Sequence, residues 1–129
     1  MNGKIAVVTQ EDGERISSHF GMAPYFRVFQ VEDGAVVRDE LRPKPHHARH
    51  PHHHEDHAHH GKGRGHLGAQ MVAAIDDCQV LICGGMGTPA YQRAQAAGLE
   101  VVLAGGKAVD AVTAYLNGEL ESDLRRVHR

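Results

Sequence analysis

The 129-residue sequence is poor in the residues that staple a chain covalently or anchor it in a membrane. Its two cysteines, Cys78 and Cys83, are too few for a disulfide framework at this length, which fits a reducing compartment. No apolar run approaches the roughly 18 residues that span a bilayer. The opening MNGKIAVVTQ lacks the long apolar segment and small-residue cleavage site of an export signal. A cytoplasmic protein with no membrane partner is expected. Charge of one sign is lacking too: 14 Lys and Arg stand against 16 Asp and Glu, a net −2 with histidine neutral. The basic residues are not gathered on one element, so no nucleic-acid partner is expected. The G-x-S-x-G, P-loop and H-E-x-x-H patterns of common hydrolases are also missing.

Histidine is in excess. Ten of the twelve histidines fall between His46 and His66. Imidazole is a borderline ligand for zinc, copper, nickel and iron, and two to four held around one ion make a site. His46 and His50, His50 and His54, and His53 and His57 stand four apart, a spacing that one helical turn brings together. His52, His54, His57, His59 and His60 add closer spacings, and Glu55 and Asp56 offer oxygen ligands. A low-complexity linker that picks up divalent metals without selectivity is the plainer reading of the same tract. The stretch from Pro43 to Gly65 has no apolar periodicity and cannot bury enough side chain to offset its ordering entropy. One domain over 1–129 is therefore expected, with residues 43–66 as a mobile His-rich loop within it.

Around that tract the chain reads as an α/β protein. Lys4 to Thr9 is a continuous β-branched run, the pattern of a strand covered on both faces and hence central. Tyr25 to Val31 and Ala35 to Leu41 form two further strands joined by an Asp33-Gly34 hairpin turn, so an antiparallel meander is expected. Leu67, Met71, Val72 and Ile75 mark one face of a helix ending near Asp77, and Val80 to Cys83 is a short buried strand. The spacing next predicts a Gly84–Gly87 turn, a helix with Thr88 as N-cap and Pro89 at N1 closed by Gly98, and a strand over Val101–Leu103. A last helix should bury Val109, Val112, Tyr115 and Leu116 and stop at Gly118. The order is β-β-β-α-β-α-β-α in a mixed sheet. If the crossover to Val80–Cys83 is right-handed, this strand runs parallel to the first. The segment holding His19, the start of the His-rich loop and Gly84–Gly87 then share one sheet edge, the carboxyl-end edge where α/β ligands bind.

KIAVVT, SHFGMAPYFRVFQV and DCQVLICGGMGTPAYQRAQAAGLEVV, in that order, resemble the nitrogenase iron-molybdenum cofactor biosynthesis family, which includes NifX-type carriers and the C-terminal part of NifB. The resemblance covers nearly everything but the His-rich tract. It implies a ribonuclease H-like three-layer fold, a bound metal-sulfur cluster, either iron-sulfur or containing molybdenum and iron, and protein partners that donate and accept it. It further implies that His19, within His19-Phe20-Gly21, lies near that cluster.

Several readings compete for the same residues. In the first, a non-enzymatic carrier holds its cluster with His19, Phe20 and Gly21 and the backbone of Gly84, Gly85, Met86 and Gly87, with His66 as a second ligand. In the second, a zinc, nickel or copper buffer works through the His-rich loop. Gly85-Met86-Gly87-Thr88-Pro89-Ala90 also fits G-x-G-x-x-A, but Glu100 precedes its strand, at the end opposite to where a dinucleotide ribose needs an acid. The carboxylates of a two-metal nuclease are missing from Lys4–Thr9 and Val80–Cys83. Cys83 could offer a thiolate, though free cysteines usually pack as small hydrophobes. Cys78 stands roughly 15 Å away along a regular strand, at about 3.3 Å per residue, so the two cannot share an ion.

Overall fold

A computed structural model describes residues 2–18, 25–43 and 74–128. Five strands form the main sheet: β1 (Gly3–Thr9), β2 (Tyr25–Glu32), β3 (Ala35–Pro43), β4 (Val80–Cys83) and β6 (Glu100–Leu103), in spatial order β3-β2-β1-β4-β6. β1 is antiparallel to β2 and parallel to β4, and β4 is parallel to β6, so the sheet is mixed. The central place of β1 follows from its sequence: Ile5, Ala6, Val7 and Val8 are all fully buried, alternately on the two faces. Asp33 and Gly34 both have positive φ, 54° and 79°, which gives the β2–β3 hairpin the primed turn that suits strand twist. Val37 is the extra residue of a bulge, since Gln30 pairs with Arg38 but Val31 pairs with Val36.

Helix α1 (Thr88–Ala96) packs through Ala94 on the face carrying Ala6, Val8, Phe26 and Leu81. Helix α2 (Ala108–Leu116) packs on the opposite face, against Ile5, Val7, Ile82 and Val102. Both helices end in the same way. Gly98 (φ 92°) and Gly118 (φ 76°) take the left-handed conformation, and the residues after them, Leu99 and Glu119, donate back to the carbonyls of Ala94 and Ala114.

Three details depart from the sequence expectations, and a fourth lies beyond them. Gly87, not Thr88, is the N-cap of α1, so Pro89 stands one place deeper in the helix. Met86 and Gly87 are not simply a turn but a two-residue strand, β5, paired in parallel with β7 (Val127–His128). Val109 is 49% exposed because α2 turns Ala108, Ala111 and Val112 inward, one helical step away. The segment after Gly118 is structured: a 3₁₀ turn over Leu124–Arg126 leads into β7. Of the helix expected over Leu67–Asp77, residues 67–73 lie outside the described residues; 74–77 form a turn, with Ile75 fully buried.

Candidate functional site

Because β1, β4 and β6 run in parallel, Thr9, Cys83 and Leu103 bring their carboxyl ends to one edge of the sheet. A loop from Gln10 to Ser18 folds back over that edge. Ser17 donates its backbone N–H to the Val8 carbonyl at 2.8 Å, Ile16 donates to Gly106 at 2.8 Å, and the Gly84 N–H donates to the Ser17 carbonyl at 2.8 Å. The contact at Gly84 is close enough to require glycine. A Cβ there would stand 2.6 Å from the Ser17 carbonyl oxygen and 3.0 Å from the Ser18 Cα, both backbone atoms. Ser18 is the last described residue before position 19, Tyr25 is the first after position 24, and Tyr25 pairs with both Thr9 and Pro43. The described chain therefore leaves for residues 19–24, returns from them, and leaves for residues 44–73, all at this edge.

Below the edge, Cys83 is fully buried and its thiol donates to the Gly85 carbonyl at 3.0 Å. Cys78, at the other end of β4, is nearly buried and its thiol pKa is pushed up to about 12, chiefly by burial and then by the Asp77 charge. Both behave as core residues. Met86 is also interior, 1% exposed and packed in the cluster with Phe26 and Leu81, so what it can offer a ligand is backbone. The Gly84 amide, expected from the sequence to face a ligand, donates to the Ser17 carbonyl.

Positive charge reaches the edge from a place the sequence reading passed over. Arg126 donates from Nη1 to the Gly84 carbonyl at 3.1 Å, and its Nη2 lies 3.3 Å from where a Gly105 Cβ would be. The tail that carries it is tied to β6, where Leu103 N–H donates to Ser122 Oγ at 2.9 Å and Asp123 N–H to the Leu103 carbonyl at 2.8 Å. Arginine in a C-terminal run after the last apolar helix gives no periodic signal, so only the long-range pairing exposes its place. Helix α1 opens at the same edge with no side-chain cap and no acidic residue in its first turn, leaving its positive end unopposed from within the helix.

Of the residues singled out in the sequence, Gly84, Gly85, Met86 and Gly87 are at this edge. His19, Phe20, Gly21, His46, His50, His52, His53, His54, His57, His59, His60 and His66 lie outside the described residues. Among the described residues no group of three His, Cys, Asp or Glu side chains is placed to hold a metal ion. Glu100, at the opposite end of β6, accepts a 2.7 Å hydrogen bond from Tyr115, away from any dinucleotide at the Gly-rich segment. No helix among the described residues is long and apolar enough to cross a membrane.

Known proteins share the family signature and the fold. A family described as dinitrogenase iron-molybdenum cofactor matches residues 1–118. Among solved structures, PH0822 superposes with a TM-score of 0.70 at 21% identity, covering 93% of this chain and 96% of that one. The apo form of the orange protein from Desulfovibrio gigas gives 0.69 at 23% identity, covering 95% and 94%. The MJ0327 protein of Methanocaldococcus jannaschii gives 0.64 at 20% identity, covering 95% and 96%. At these identities the likeness is one of fold. No curated protein matches the sequence.

Proposed function

The chain belongs to the dinitrogenase iron-molybdenum cofactor family, and from that premise we propose that it is a non-enzymatic carrier holding a metal-sulfur cluster as cargo at the carboxyl-end edge of its sheet. The observation that carries this reading is the meeting of Ser17 and Ser18 with Gly84 beside the chain's exit toward residues 19–24 and 44–73. His19 is the ligand or anchor, with Phe20, Gly21 and the backbone of Gly85 to Gly87 around it and His66 as a second ligand. The family name supports a molybdenum- and iron-containing or iron-sulfur cargo, exchanged with donor and acceptor proteins in the cytoplasm. We assign the sheet to the ribonuclease H-like class, on its antiparallel meander followed by two parallel strands, and take residues 1–129 as one domain.

Ten histidines between positions 46 and 66 favour a second reading, a zinc, nickel or copper buffer. Anaerobic purification followed by elemental analysis and visible absorption separates the two. Iron with sulfide, or molybdenum, is expected; zinc, nickel or copper without sulfide would replace the carrier by the buffer.

A further inference from the structure

A metal-sulfur cargo is an anion, and an anion brought to a sheet edge needs positive charge or free donors there. Gly84, the natural backbone donor, gives its N–H to Ser17. Among the described residues a cation reaches that glycine from the tail, and residues 119–129 lie beyond the family match, which ends at 118. Arg126 Nη1 is 3.1 Å from the Gly84 carbonyl, and its guanidinium stands over Gly105, where the missing Cβ leaves room for it. Among the described ion pairs of the tail, two arginines share one carboxylate. Asp123 pairs with both tail arginines, at 3.0 Å from Arg125 Nε and 3.7 Å from Arg126 Nε. Arg125 takes the short bonds and points into solvent with 91% of its side chain exposed, while Arg126 Nε is buried with no hydrogen-bond partner among the described residues. The β5–β7 pairing then fixes the tail against Met86 and Gly87, so the guanidinium is held where β4 and β6 end.

We infer that Arg126 is the cationic contact for the anionic cargo at this edge, a binding residue supplied by the C-terminal tail. The inference rests on the carrier reading above. A guanidinium can keep one N–H on the Gly84 carbonyl and turn others to the anion, a division that a lysine ammonium reproduces only in part.

The test is a titration of the purified, metal-free full chain with tetrathiomolybdate, a dianion of molybdenum and sulfide, followed by visible absorption at several salt concentrations. Arg126→Gln should weaken binding roughly tenfold or more and flatten its salt dependence, as loss of one charge-assisted contact implies. Arg126→Lys should recover part of the affinity and the salt dependence. Arg125→Gln, which removes the same charge from the exposed side of Asp123, should bind as the unaltered protein does. Equal weakening in Arg125→Gln and Arg126→Gln would reduce the effect to net charge and overturn the inference, as would unchanged binding and salt response in Arg126→Gln. If the unaltered protein binds no anion, the carrier reading falls and takes this inference with it. If it binds and Arg126→Gln binds equally, only the inference falls.

Discussion

The two ends of the sheet are built on opposite terms. At the amino-end edge the side chains satisfy one another: Lys4 Nζ meets Asp77 at 3.0 Å and the Gln79 amide accepts the Lys4 backbone N–H at 2.7 Å, while Arg42, whose backbone lies toward the other end of β3, reaches across to Asp77 at 2.8 and 2.9 Å and to Glu40 at 2.6 Å. At the carboxyl-end edge the loop is held by backbone-to-backbone contacts through Gly84 and Gly106, and side chains enter mainly from the tail, as Arg126 on the Gly84 carbonyl and Ser122 on Leu103. Thr9 Oγ1 and Arg126 Nε are buried there with no hydrogen-bond partner among the described residues. The first edge is filled by side chains that close the crossover onto the sheet. The second admits no side chain at Gly84 and brings the 10–18 loop and the tail together there.

Matched glycine substitutions are the strongest way to break this contrast. Gly84→Ala sets a methyl against the Ser17 carbonyl, backbone that cannot swing aside, and should cost about 1–3 kcal/mol of stability and release the 10–18 loop, with cargo binding lost. Gly3→Ala at the other edge meets the Gln79 amide, a flexible side chain, and a backbone φ of 159° that alanine rarely adopts. It should cost about 1–3 kcal/mol, from the bond to Lys4 and the backbone strain, and leave cargo binding intact. Urea denaturation alongside cargo titration of both variants checks the pair; equal effects on binding would erase the distinction between the edges.

A smaller effect is expected from Asp77. The Arg42 hydrogen bonds, and after them that of Lys4, hold its carboxyl well below the usual carboxylate range. A depressed folded pKa means that its stabilisation is complete above the unfolded value of roughly 4 and is lost as pH falls below that toward the folded pKa. Asp77 is 40% exposed, so the whole contribution is at most about 1 kcal/mol. Asp77→Asn should therefore lower the denaturation midpoint slightly at pH 7, and the gap to the unaltered protein should close at acid pH. A gap that widens on acidification would reverse the sign.

The smallest effect concerns the thiols. Cys78 and Cys83 are both buried, and burial raises the Cys78 pKa, so a thiol reagent should label neither at an appreciable rate in the folded protein and both in denaturant. Fast labelling of Cys83 in the native state would show the carboxyl-end edge to be open down to β4.

Strands were legible in the sequence because burial writes directly onto residue type. KIAVVT had to be covered on both faces, and VLIC matched β4 residue for residue. Asp33-Gly34 and Gly98 were legible because a positive φ restricts the choice of residue. Val109 was misread because a three-to-four-residue spacing over so short a helix cannot tell a core position from its neighbour when alanines fill the core. The tail was missed for a different reason. Its place depends on two residues pairing with β5 and on one arginine reaching a carbonyl 42 positions away, and neither leaves a period in the sequence. The Gly84 edge was read correctly as a meeting point, yet which of its backbone groups are spoken for could be seen only in three dimensions.

The central claim is that the folded edge, and not the histidine tract, holds the cargo. It is tested most directly by counting iron, molybdenum and sulfide per chain in His19→Ala and in a variant lacking Pro45 to Gly61. The two must be compared at one pH, because retention through any imidazole falls below about pH 6. His19→Ala should lose most of its metal and sulfide while the deletion keeps most of both. Loss of all metal on deletion, with His19→Ala indistinguishable from the unaltered protein, would contradict the account.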